Sequence, residues 1–155
     1  MVQTTVSQYG EQAFAGMLDG IGPKLVRSYA AEGAVAVGHT VRLGTDAAKQ
    51  VVQSSTAVGQ GALVRGFALH DHAREQSSAG VVQYADKEAV SVLTRGRIWV
   101  ETNDAVVAGT VANLHLASGK LTDAAVGAGI EAITLLGVRF ITATTAAGLA
   151  IVEVN

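Results

Sequence analysis

The chain has 155 residues, enough for one domain that buries roughly two-thirds of its unfolded surface with no metal or disulfide required. Eleven Lys and Arg against 13 Asp and Glu give a formal charge of −2, with the basic residues scattered from Lys24 to Arg139. That balance excludes the electrostatic footprint of a nucleic-acid or anionic-membrane binder. Cysteine is absent, which removes disulfides and thiolate zinc sites.

The opening MVQTTVSQYGEQ has neither the basic start nor the apolar core of a signal peptide. No apolar run approaches the ~20 residues of a spanning helix, so a soluble chain made in the cytoplasm is expected. Only 15% of the residues are charged while 49% are hydrophobic; an ordinary domain carries about 25% charged residues. Part of this weakly polar surface is therefore expected to be covered by other chains. The competing reading is that Gly, Ser, Thr, Ala and Gln do the solvating.

Residues 1–20 mix polar residues with isolated Tyr9, Phe14, Met17 and Leu18, without helical or strand period. They read as an extended N-terminal arm ahead of a single β domain at 21–155, and removing residues 1–18 is expected to leave the fold intact. Ile21-Gly22-Pro23 is a turn signal, since proline fixes its own φ and biases its predecessor away from helix. Leu25–Tyr29 is short and extended.

From Ala34 onward β-branched runs recur between glycines: 34–37, 40–43, 50–54, 62–70, 80–84, 89–94, 97–101, 110–116, 138–144 and 149–154. Arg95-Gly96 joins two of them as a tight hairpin or as a bulged, bent strand. One segment, Ala124–Leu136, has helix-favouring alanines and leucines behind a possible Thr122 or Asp123 cap. Gly127 and Gly129 each cost about 1 kcal/mol in a helix, so an irregular loop or short helix is expected. The spacing leaves no room for crossover helices, which predicts an all-β, single-domain sandwich or small barrel with at most one or two short helices.

Candidate chemistry is sparse. His70 and His72 lie two apart, on one face of a strand, with Glu75 beyond as a carboxylate ligand, and this resembles the first metal motif of cupins. The second, proline-containing cupin motif has no counterpart, because the only proline is Pro23. Gly127-Ala128-Gly129-Ile130-Glu131-Ala132 fits a dinucleotide fingerprint in spacing but lacks the preceding buried strand that the motif needs. Ser77 and Ser78 have no nucleophile elbow around them, and Asp86 with Glu88 reads as a solvated turn. Trp99, beside Ile98 and Val100, reads as core or subunit interface, or as a platform for a sugar.

Several segments stand in an order that resembles the structural cement, or decoration, proteins of tailed-bacteriophage heads. They are Ala15-Gly16-Met17-Leu18-Asp19, Ser28-Tyr29, Ala34–Gly38, Val64–His72, Tyr84, Val90–Val100, Val138–Thr142 and Gly148–Glu153. The resemblance implies a β-tulip-like barrel, no catalytic residues and no cofactor. It implies a protein assembled in the host cytoplasm that binds the major capsid protein on the outside of the virion head, commonly as a homotrimer, and braces the shell. Tyr9, Phe14, Met17, Leu18 and Trp99 are the residues expected at the capsid or subunit interface. Two alternatives stand beside it: a cupin-like metal enzyme using His70, His72 and Glu75, and a virion-surface carbohydrate-binding module using Trp99.

Overall fold

A computed structural model describes residues 13–20, 22–54, 64–71, 81–125 and 132–155. Its strands are β1 (Leu25–Ala31), β2 (Val35–Ala36), β3 (Thr40–Leu43), β4 (Gln50–Gln53), β5 (Val64–Ala68), β6 (Gln83–Tyr84), β7 (Ala89–Glu101), β8 (Val111–His115), β9 (Leu121–Thr122), β10 (Ala132–Phe140) and β11 (Leu149–Val154). There is no helix among the described residues.

Strand β7 organises the rest. At 13 residues it is about 43 Å long at the usual strand rise, and the described sheet closes on it twice. On one side β1, β4, β3 and β5 run in order from β7 back to β7, making a small five-stranded barrel. On the other, β11, β10, β8 and β9 lead away from β7, and a parallel bridge between Thr102 and Leu121 brings β9 back to its end. The first ring is filled by Tyr29, Val35, Val41, Val51, Tyr84, Val90 and Val92. The second is filled by Phe67, Leu93, Ile98, Val100, Leu114, Phe140 and Val152.

The Arg95-Gly96 junction is the bent-strand alternative; no hairpin forms there. Leu25 pairs with Arg95 but Val26 with Leu93, so Thr94 is an extra residue on β7. An inserted residue shifts the alternation of side chains by one. Before it, Val90 and Val92 enter the first core while Leu93 enters the second; after it, Ile98 and Val100 enter the second. Gly96, at φ 128°, takes the backbone turn that the bulge requires. Arg97, Trp99 and Glu101 are thereby turned outward.

The segment expected as a loop or short helix supplies strand instead. Ala132, Ile133 and Thr134 of β10 pair with His115, Leu114 and Asn113 of β8. Cross-strand pairing of the β-branched Ile133 and Thr134 outweighs the helix preference of the neighbouring alanines and leucines. Residues 126–131, with Gly127 and Gly129, lie outside the described residues.

Candidate interface surfaces

The described part of the expected arm is laid into the molecule. Gly16 N–H donates to Trp99 O (2.8 Å), Trp99 N–H to Met17 O (2.9 Å), Asp19 N–H to Arg97 O (3.1 Å) and His70 N–H to Gly16 O (2.9 Å). Leu18 bridges to Ile98 and packs on the second core, and Ala13 is buried. A Cβ on Gly16 would stand 2.8 Å from His70 N and 3.0 Å from Gly38 N, so this crossing depends on a residue without a side chain. The expected dispensability of residues 1–18 therefore gives way to the opposite prediction, taken up in the Discussion.

Of the candidate interface residues, all but Tyr9 come together here; Tyr9 lies outside the described residues. Phe14 packs on the His70 ring with centroids 4.3 Å apart, beside a groove of about 270 Å³ also lined by Met17, Leu18 and Leu69. Trp99 pairs with Ile151, and Ile151 O accepts from Ile141 N–H at 2.8 Å. Met17, Trp99, Ile151 and Ile141 thus form a partly exposed apolar band across the outer face. Next to it runs a row of alternating sign, Asp19, Arg97, Glu153 and Arg139, in which Arg97 Nε and Glu153 Oε1 are 3.0 Å apart.

Of the metal candidates, His72 and Glu75 lie outside the described residues, and His70 is the Phe14 partner just named. Among the described residues no group of His, Cys, Asp or Glu is arranged to hold a metal ion.

Two features had no sequence signal. The first concerns charge. Most described carboxylates are engaged by donors of neighbouring loops and turns: Glu32 accepts from Thr45 N–H (2.6 Å) and Thr45 Oγ1–H (2.7 Å), Asp86 from Gly33 N–H (2.9 Å), and Asp123 from Val107 N–H (2.9 Å). Asp46, Glu88 and Asp104 are held likewise, while Glu101 pairs with Lys120 at 2.8 Å. By contrast Lys24, Arg27, Arg65 and Arg95 form no ion pair among the described residues. The Arg65 guanidinium, and after it that of Arg27, donates to the Tyr29 phenol and holds its pKa below that of free tyrosine against the opposing effect of burial.

The second is His39, seated where the two barrels meet, with its ring against Gly119 in the β8–β9 turn. Gln53 Oε1 accepts from Ala36 N–H (2.8 Å), so the amide nitrogen is what faces His39 Nδ1, at 3.3 Å. Nδ1 must then be an unprotonated acceptor, with the ring proton on Nε2. Burial pushes the His39 pKa down; Glu101 opposes this and Lys120 reinforces it. A His whose folded pKa is depressed contributes stability that is complete above its unfolded pKa of about 6.5 and is lost as pH falls below it toward the folded value. The urea midpoint is expected to be flat from pH 8 to 7 and to drop between pH 6.5 and 5. The drop corresponds to about 1–2 kcal/mol, the cost of two donors facing each other in a buried site. His39→Gln should flatten this window, and a wild-type midpoint unchanged down to pH 5 would refute the assignment. Glu32, held low by the Thr45 backbone and hydroxyl donors, adds its own loss only at more acidic pH.

A closed double ring of strands, an apolar outer band and little uncommitted negative charge describe a protein made to sit against other chains. The family model for structural cement protein (E217 gp24/Pam3 gp6) matches residues 2–155, and the chain belongs to that family. A chain in the solved capsid of Myoviridae phage XM1 superposes with a TM-score of 0.71 at 19% identity, covering 99% of this chain and 97% of that one. At such identity the likeness establishes the fold. No curated protein matches. The role is accordingly that of a capsid cement protein, a structural one, and neither the cupin-like enzyme nor the carbohydrate binder finds a counterpart in these comparisons.

Proposed function

We propose that the chain binds the major capsid protein on the outer surface of the assembled head as a homotrimer and stabilises the shell against expansion stress and internal pressure. The reading is carried by the apolar band of Met17, Trp99, Ile151 and Ile141, which a monomer in water has no reason to keep and which a neighbouring subunit would cover. In it, Phe14, Met17, Leu18 and Trp99 belong to the subunit contact, and the arm ahead of the β domain extends that contact. A trimer engaging a lattice at three points gains from effective concentration, so that modest individual contacts give long residence.

Light scattering at micromolar concentration should return three times the chain mass, and Trp99→Asp should return a single chain mass with the strand signal in circular dichroism retained. A wild-type monomer would count against the trimer. Heads lacking the protein should bind it on their outside, seen by electron microscopy, and should then survive heating that empties undecorated heads; equal DNA release with and without it would remove the bracing role.

A further inference from the structure

A trough of two adjoining grooves, about 270 and 260 Å³, flanks the end of β11, and both are lined by Val154 and Asn155. The larger is walled by Val64, Leu135, Leu136 and Val138 with Arg65 at its rim; the smaller is bordered by Arg95, Arg97 and Glu153. Leu136 is 83% exposed, more than any other large hydrophobic side chain described. The strand that carries it is open here. Thr134 pairs with Asn113 and Arg139 with Val111, so the residues between bulge away from β8, while β11 covers β10 only over Val138–Phe140. Leu135 and Leu136 have no cross-strand partner in either register, and of the two Leu136 is the exposed one, leaving that stretch for an extended segment to lie along.

The one carboxylate side chain lining the trough, Glu153, is paired with Arg97 at 3.0 Å, and basic side chains are in excess around it. Leu25 pairs with Arg95, the Lys24 side chain borders Gly96, and Arg27 meets Arg65 on the Tyr29 phenol. Four basic side chains without ion pairs thus gather at one end of a molecule whose formal charge is −2. Guanidiniums held near one another invite carboxylates from outside, with which they form paired, geometrically matched hydrogen bonds.

We propose that this trough receives an extended segment of the shell protein in which an apolar side chain, lodged against Leu136, is flanked by carboxylates that pair with Arg65, Arg27 and Arg95. The proposal rests on the capsid-binding reading and adds the chemistry of the partner. A second copy of this chain is the poorer occupant. Its described carboxylates, Asp19 apart, are already engaged within the chain.

The test is co-sedimentation of the full chain with purified heads that lack it, comparing wild type with Arg65→Glu, Leu136→Asp and, as a control on an exposed apolar residue elsewhere, Val107→Asp. Circular dichroism checks each fold, and Arg65→Gln and Leu136→Ser replace any variant that does not fold. At half-saturating wild-type concentration, Arg65→Glu and Leu136→Asp should each lower the bound fraction at least tenfold, and Val107→Asp should stay within twofold. Wild-type binding matched by both trough variants overturns the trough and leaves the capsid reading standing; no wild-type binding overturns both. If the trough variants instead reduce the solution mass while heads still take them up, the occupant is a second copy and the shell-segment assignment is wrong.

Discussion

Replacing Gly66 with alanine is expected to leave the chain without a cooperative unfolding transition. Gly66 sits on β5 where that strand meets β7, and a Cβ placed there would overlap the Leu93 carbonyl oxygen and stand 2.8 Å from its carbon. The obstacle is backbone, so no rotamer change relieves it, and β5 must leave β7. That separation would open the first ring at the pairs Phe67–Leu93 and Ala68–Val92 and expose side chains that are wholly buried. Burying one such side chain is worth about 1.5–3 kcal/mol, and an entire domain is stable by only about 5–15 kcal/mol, so the loss approaches the whole margin. Gly109→Ala is the matched comparison. At φ +86° it is also strained, but open space surrounds it, and a left-handed alanine costs only about 1–2 kcal/mol. Urea titrations followed by circular dichroism should show a clear midpoint for Gly109→Ala and none for Gly66→Ala; two similar midpoints would show that the crossing tolerates a side chain.

Removing residues 1–18 should destabilise the fold by about 3 kcal/mol. Three backbone hydrogen bonds are lost, to Trp99 O, from Trp99 N–H and from His70 N–H, each worth about 1 kcal/mol net. The packing of Leu18 on the second core goes with them, offset by the entropy released when the segment is no longer ordered. In a chain of this size that is a fall in Tm of about 6–12 °C, measurable by calorimetry. The band also loses Met17, so the truncated chain should self-associate less well than the full one. An unchanged Tm would mean that the segment only rests on the barrel.

The strands were legible because their signal is local. β-branched runs between glycines located β3, β4, β5, β8 and β11 to within a few residues, since alternation is written in adjacent positions. β10 was obscured because Ala132–Thr134 is held by residues 113–115 of its partner β8, and a pairing with a distant part of the chain leaves no mark on the segment itself. β9, two residues long, exists only through Leu114 and Asn113. The outward face of Trp99 was hidden for a related reason: one extra residue at Thr94 decides which way the later side chains point, and its effect appears only against β1. At the surfaces, Phe14, Met17, Leu18 and Trp99 could be picked out as sparse large apolar residues. That carboxylates spread along the chain would be spent on nearby backbone donors, leaving Arg27 and Arg65 to meet across strands, depended on turn geometry and closure that no spacing rule records.

Because β7 is a wall of both rings, losing it would open both at once. A load drawn between the two ends of the molecule travels lengthwise along those 13 residues and stresses their rungs in shear, together, where peeling would snap them one after another. The chain is in effect a tie rod with its two fittings folded around it, and its resistance to stretch should depend strongly on the direction of the pull.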